Sequence, residues 1–136
     1  MSSPDKIDTP LATVTRVRPD RVEVRFKPGI KLEPKGIGLI LDQRERMGGE
    51  RPHQVLIVMP EDVDFEMGMM TTDHYGGRKV VDMTLAVAWV AAPGMTQELT
   101  SLYLTYFPTH FASRVFTTEE EAKQWLDEEG PRRGTA

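Results

Sequence analysis

The chain has 136 residues, a formal net charge of −4 from 21 acids against 17 bases, and no cysteine. A chain this long makes one domain and buries roughly two-thirds of the surface its unfolded form exposes, so no covalent staple is needed. The missing thiols exclude disulfides and thiolate nucleophiles or metal ligands, and the acidic balance argues against nucleic acid, which is bound by a basic face.

Residues 1–9 are polar and read as a tail; with no basic run leading into an apolar one, they do not form a secretory signal. Leu11 to Arg18 and Arg21 to Phe26 are β-rich runs separated by Pro19-Asp20, residue types that suit the centre of a tight turn. Val22, Val24 and Phe26 alternate with Glu23 and Arg25, the period of a half-buried strand. Arg16, Arg18, Arg21, Arg25 and Lys27 form the chain's basic cluster. It is expected to be a solvated strand face whose charges discourage edge pairing. Pro28-Gly29 ends the hairpin.

Pro34 opens a helix at the first turn, where its missing N–H costs nothing. Ile37, Ile40, Leu41 and Met47 fall on one face, and Gly48-Gly49 is expected to close the helix as a left-handed cap. Gly36 and Gly38 weaken it by about 1 kcal/mol each against alanine. They are either tolerated weakness or a place where another backbone comes close. Gln54 to Met59 is a short apolar run, as expected of a strand covered on both faces. A second helix is expected after Asp62 or Asp64, through Phe65, Met67, Met69, Met70 and Tyr75, closing at Gly76-Gly77.

Thr84 to Ala92 is the most apolar run and is expected to be the central strand; at this length it cannot span a bilayer. Pro93-Gly94 ends it. Thr96 to Phe107 reads as a third helix, with Met95, Leu99, Leu102 and Tyr106 on one face and Tyr103, Leu104 and Phe107 off it. Ser113 to Phe116 is a last short strand. Thr117 with Glu120 then has the spacing of a reciprocal capping box before a fourth helix, which buries Ala122, Trp125 and Leu126. Residues 127–136 lack apolar side chains and read as a second tail, so the domain is expected over 10–127 with tails at 1–9 and 128–136. The order implies an α/β fold with a mixed sheet, parallel in its later part, packed with about four helices.

Three stretches carry a family likeness: Arg21-Val-Glu-Val-Arg-Phe-Lys-Pro-Gly29, Gln54-Val-Leu-Ile-Val58 and Leu85-Ala-Val-Ala-Trp-Val90. Leu99 to Phe107 followed by Arg114-Val-Phe-Thr-Thr-Glu-Glu-Glu-Ala-Lys-Gln-Trp-Leu126 is the most telling piece. With these, residues 11–126 resemble the bacterial SpoIIAA-like branch of the STAS/SEC14-like domains. The resemblance implies that fold and, more weakly, a regulatory role; a cytoplasmic place is expected instead from the lack of a secretory signal and of a run long enough to span a bilayer. Phosphorylation-switched STAS domains carry an Asp-Ser pair at a helix start; the matching stretch here, Val63 to Thr71, holds no serine, and Thr71 and Thr72 lie too far along. The phosphoserine switch is therefore not carried over.

Chemistry is sparse. Ser101 and Ser113 are the serines outside the tail, and His53, His74 and His110 are isolated, without the helical pairing that makes a metal face. Neither catalytic residues nor a cofactor or metal site is expected. Asp73-His74 reads as a histidine favoured by a helix C-terminus. Gly76-Gly77-Arg78-Lys79 is a plain helix-ending turn or an anion cradle. What stands out is apolar excess: Met67, Met69, Met70, Tyr103, Leu104, Phe107 and Phe111, with the loop residue His110 beside them. Methionine and aromatic side chains suit permissive contact surfaces. They are either a thick core or a surface that meets another protein or a second copy of the chain, as a homodimer. The SEC14-like half of the family name implies a third use, holding a small apolar ligand such as a lipid.

Overall fold

Alternating apolar and charged residues place residues 6–26 edge to edge. In the computed structural model, which describes residues 6–48, 51–60, 64–69, 71–76, 78–107, 109 and 111–135, β1 (Lys6–Asp8), β2 (Ala12–Arg18) and β3 (Arg21–Phe26) pair antiparallel in sequence. The hairpin stands as expected, with Val14 opposite Val24 and both fully buried. The expected tail shortens, because residues 6–8 form an edge strand. Lys27 also reaches Asp8 at 2.8 Å. Gly29 takes φ 70°, a left-handed turn that a side chain would strain, and ends the hairpin.

A short strand, β4 (Lys31–Leu32), leads into α1 (Pro34–Gly48), with proline in the first turn as expected. Gly49 lies outside the described residues, so the cap expected there is not described. Gly36 marks a close approach, though by a side chain and not a backbone: a Cβ there would fall inside the buried Leu11 side chain. Then β5 (His53–Val58) pairs parallel to β3, β7 (Thr84–Val90) parallel to β5, and β8 (Ala112–Phe116) parallel to β7. The six-stranded sheet has the order β1-β2-β3-β5-β7-β8. β7 is therefore next to the edge, and β3 and β5 are the middle strands. Its apolar run reflects cover on both faces, not a central place.

Among the described residues between β5 and β7 there is no α-helix, where one was expected. After β6 (Asp64–Phe65), which pairs parallel with β4, the chain makes two 3-10 turns, Met67–Met69 and Lys79–Val81. Glycines at 68 and 76 and the absence of a heptad-like stripe deny a helix the cooperative run it needs. Among the described residues there are three α-helices where about four were expected: α1, α2 (Met95–Tyr106) and α3 (Glu119–Thr135). Gly94 at the start of α2 has φ 131°, again a glycine conformation. Among the described residues no helix is long and apolar enough to cross a membrane.

The two faces of the sheet are packed differently. Leu56, Ala86, Ala88 and Val90 meet Ala122 and Leu126 of α3, and the small alanines let that helix come close. Arg21 is drawn into this side and is not solvated. Its Nε and Nη2 donate to Gln54 Oε1 at 3.0 and 2.8 Å, Nη2 reaches Asp127 at 2.6 Å, and Gln54 Nε2 donates to the Leu126 carbonyl. The helix continues to Thr135, through residues expected to fray. Val14, Val22, Val24, Val55, Ile57 and Val87 on the opposite face meet α1 and the segment between β5 and β7.

The α3 cap sits one residue later than its spacing suggests. Thr118 Oγ1 accepts from the Glu121 N–H at 3.3 Å and donates to the Glu121 carboxylate at 2.9 Å. Two overlapping Thr-x-x-Glu frames exist, and the second is used. Thr118→Ala should therefore lose about 1 kcal/mol in urea unfolding. Thr117→Ala should stay within about 0.5 kcal/mol of the parent chain.

Candidate functional site

On the α1 side of the sheet the packing is incomplete. A cavity of about 80 Å³ lies between Ile37, Ile40, Leu41 and Arg44 of α1, and Val24, Phe26, Ile57, Met59 and Trp89 of the sheet. Leu32, Phe65, Met69, His74 and Tyr75 form its third wall, and Leu99, Thr100 and Tyr103 of α2 the fourth. The walls are almost wholly hydrocarbon. The space is about half that of an apolar protein cavity known to take benzene, ~150 Å³, and it is not sealed from outside.

Helix α2 faces this cavity with an unexpected side. Thr96, Thr100 and Tyr103 are buried, while Met95 (72% exposed), Leu102 and Tyr106 (63% exposed) of the predicted apolar face look outward. The threonine turn is compatible with burial because the Thr100 hydroxyl donates to the Thr96 carbonyl at 2.7 Å, leaving its methyl for the core. Tyr103 adds a polar strut. Its hydroxyl accepts from the His74 N–H at 2.9 Å and donates to the Thr72 carbonyl at 3.0 Å.

The residues expected to form one surface are divided. Met69 and Tyr103 line the cavity, and Phe111 is buried edge-on to Tyr75 at 5.6 Å. Met67 is outside, 91% exposed. Leu104 and Phe107 are half-buried, the Phe107 ring lying 5.0 Å from that of Tyr103. Met70 and His110 lie outside the described residues. His74 is at no helix terminus: its Nε2 donates to the Met69 carbonyl at 3.1 Å, and burial pushes its pKa down. Arg78, a candidate for an anion cradle, is held by Asp42 at 2.8 Å and Glu45 at 3.4 Å. The hairpin bases are likewise engaged, Arg25 by Glu23 and Glu119 and Arg18 by Asp20.

Arg44 is the residue that sequence reasoning passed over. It follows Ile37 by seven positions and Ile40 by four, so it stands on the apolar stripe of α1. A charged residue at a core position was the available signal. It is 1% exposed, and among the described residues it pairs with no carboxylate. Nη2 donates to Thr84 Oγ1 at 3.0 Å and approaches His53 Nε2 at 3.3 Å. The Thr84 hydroxyl passes its own proton to the Val80 carbonyl at 2.6 Å. His53 Nδ1 lies 2.9 Å from the Arg51 carbonyl, which can only accept, so Nδ1 holds the proton and Nε2 is left as an acceptor for Arg44. Among the described residues, Nε and Nη1 of Arg44 and Nε1 of Trp89 make no hydrogen bond of normal geometry, although the Tyr75 phenol interacts with the guanidinium. Burial lowers the Arg44 pKa, while the same burial raises that of the Tyr75 phenol beside it.

Among the described residues no serine hydrogen-bonds a histidine, and no group of three His, Asp or Glu is placed to hold a metal. Ser101 is exposed, and Ser113 Oγ is 3.4 Å from Thr109 Oγ1.

A mixed sheet with a close-packed face and a hollow one defines an α/β domain built around a cavity. No family model and no curated protein matches the chain. Among solved structures it is similar to an uncharacterised protein of the DUF3478 family from Shewanella loihica PV-4, described as having a SpoIIAA-like fold. The two share 18% identity over 93% of this chain and 98% of that one, with a TM-score of 0.59. At that identity the likeness shows the fold alone, and the fold is SpoIIAA-like.

The histidine beside Arg44 has a measurable signature. Burial first, and the guanidinium second, push the His53 pKa down from 6.5 to about 4. The folded chain thus keeps His53 neutral where the unfolded chain is protonated. Its contribution is complete above the unfolded value and is lost as pH falls from about 6.5 to about 4, a change on the order of 3 kcal/mol. In imidazole NMR spectra His53 should hold one proton, on Nδ1, at pH 5.5; a midpoint near 6.5 contradicts the packing described.

Proposed function

We propose that the chain is a noncatalytic binding module whose cavity takes a small apolar ligand. The observation that carries this is the cavity itself, bounded on the α1 side by four elements that do not close on one another. Water inside hydrocarbon walls finds too few hydrogen-bond partners to be held well. An apolar guest gains roughly 25 cal/mol for each Å² it removes from water. The polar groups on the wall are few and mostly engaged, as in binding pockets that fix a guest by shape.

A second use is favoured by a separate observation. Met95, Leu102 and Tyr106 stand seven and four positions apart, so they share the outer stripe of α2, and Met67 is exposed as well. This supports docking against another protein or a second copy of the chain, the interaction role expected from the apolar excess.

Native mass spectrometry of the chain purified from cells separates the two. A monomer carrying an apolar guest, released on denaturation or reloaded with 1-octanol, is the expected result. A bare monomer that takes up no octanol contradicts the ligand role. A dimer mass without a guest favours the outer stripe of α2.

A further inference from the structure

We infer that the cavity takes an amphiphile with a singly charged anionic end, and that Arg44 is the anchor for that end. This rests on the cavity being a ligand site and goes beyond it by naming the class of ligand.

A guanidinium removed from water loses its hydration, and proteins that bury one surround it with carboxylates or with a full set of acceptors. Arg44 has neither. Its neighbours among the described residues are Thr84, His53 in its uncharged form, and the neutral Tyr75 phenol, whose oxygen interacts with the guanidinium without cancelling its charge. The nearest acids on the same helix are occupied, since Asp42 and Glu45 both hold Arg78, and Glu45 also accepts from the Val80 N–H at 3.2 Å. Thr84 and His53 therefore orient the guanidinium through Nη2 without neutralising it.

The imbalance among the lining groups points the same way. Among the described residues, Arg44 Nε, Arg44 Nη1 and Trp89 Nε1 are three buried donors without a hydrogen bond of normal geometry, on two residues that both line the cavity. Thr100, His74 and Tyr103 on the same wall have their hydrogens placed. What is lacking is an acceptor, and the one fixed charge in the wall asks for a single negative charge. A carboxylate answers both needs, because it accepts only and forms charge-assisted bonds with guanidinium. The hydrocarbon walls suit an apolar body, most of which extends through the open side because the space itself is only about 80 Å³.

Isothermal titration with sodium octanoate and with 1-octanol tests this on the intact chain, with Arg44→Met as the paired variant. Octanoate should bind the parent chain at least 10-fold more tightly than octanol, and Arg44→Met should abolish the difference while still taking octanol. Equal affinities in the parent chain overturn the anionic assignment and leave the apolar-ligand role standing. A preference for octanoate that survives in Arg44→Met overturns Arg44 as the anchor. If neither compound binds the parent chain, both fail. The comparison within the parent chain decides even where the variant does not fold.

Discussion

An arginine with 1% of its surface exposed and, among the described residues, no carboxylate partner shapes one whole side of this molecule. Breaking water away from a guanidinium costs several kcal/mol, and only good acceptors give it back. Here the fold supplies two, on neighbouring parallel strands, where β5 and β7 begin at His53 and Thr84. Those two residues are opposite one another in the register, so one nitrogen of Arg44 bridges the strand ends. Helix α1 is thereby pinned to the sheet at its C-terminal half. Its N-terminal half is seated separately, where Gly36 admits Leu11.

The rest follows from how the two faces of the sheet are filled. On the α3 side, alanines and a short polar network bring helix and sheet into direct contact. On the other side, α1 and α2 rest on different strands, and the segment between β5 and β7 closes the gap with turns. Turns place single side chains such as Phe65, Met69 and Tyr75, but they do not present a continuous ridge to fill a groove. Unfilled space in an otherwise dense interior is the physical outcome. The cavity is thus a consequence of topology, and its polarity is set by the one charged residue at its wall.

Much of the scaffold was legible because strands and amphipathic helices announce themselves by period. Val22, Val24 and Phe26 gave away the hairpin, and Pro34 the start of α1. Illegible parts have specific causes. Phe65, Met67, Met69 and Tyr75 look like a helix by composition, yet pairing of β4 with β6 and glycines at 68 and 76 impose turns. Helix α2 turns Thr96 and Thr100 inward because a threonine hydroxyl can satisfy itself on its own helix, which a hydropathy pattern cannot register. Of the apolar residues expected to form one surface, Met69 and Tyr103 line the cavity. Arg44 escapes a hydropathy pattern because its charge masks its place in the apolar spacing of α1.

The unsatisfied guanidinium can be observed directly. In 15N-edited NMR spectra, the Arg44 Nε–H of the free chain should resonate where guanidinium protons without an acceptor do. On titration with octanoate it should move downfield in a saturable way and exchange more slowly with water, as expected of a charge-assisted bond. An Arg44 Nε–H that does not move while octanoate saturates the chain would contradict the role assigned to it. A resonance already shifted in the free chain would show that the guanidinium had its acceptor all along.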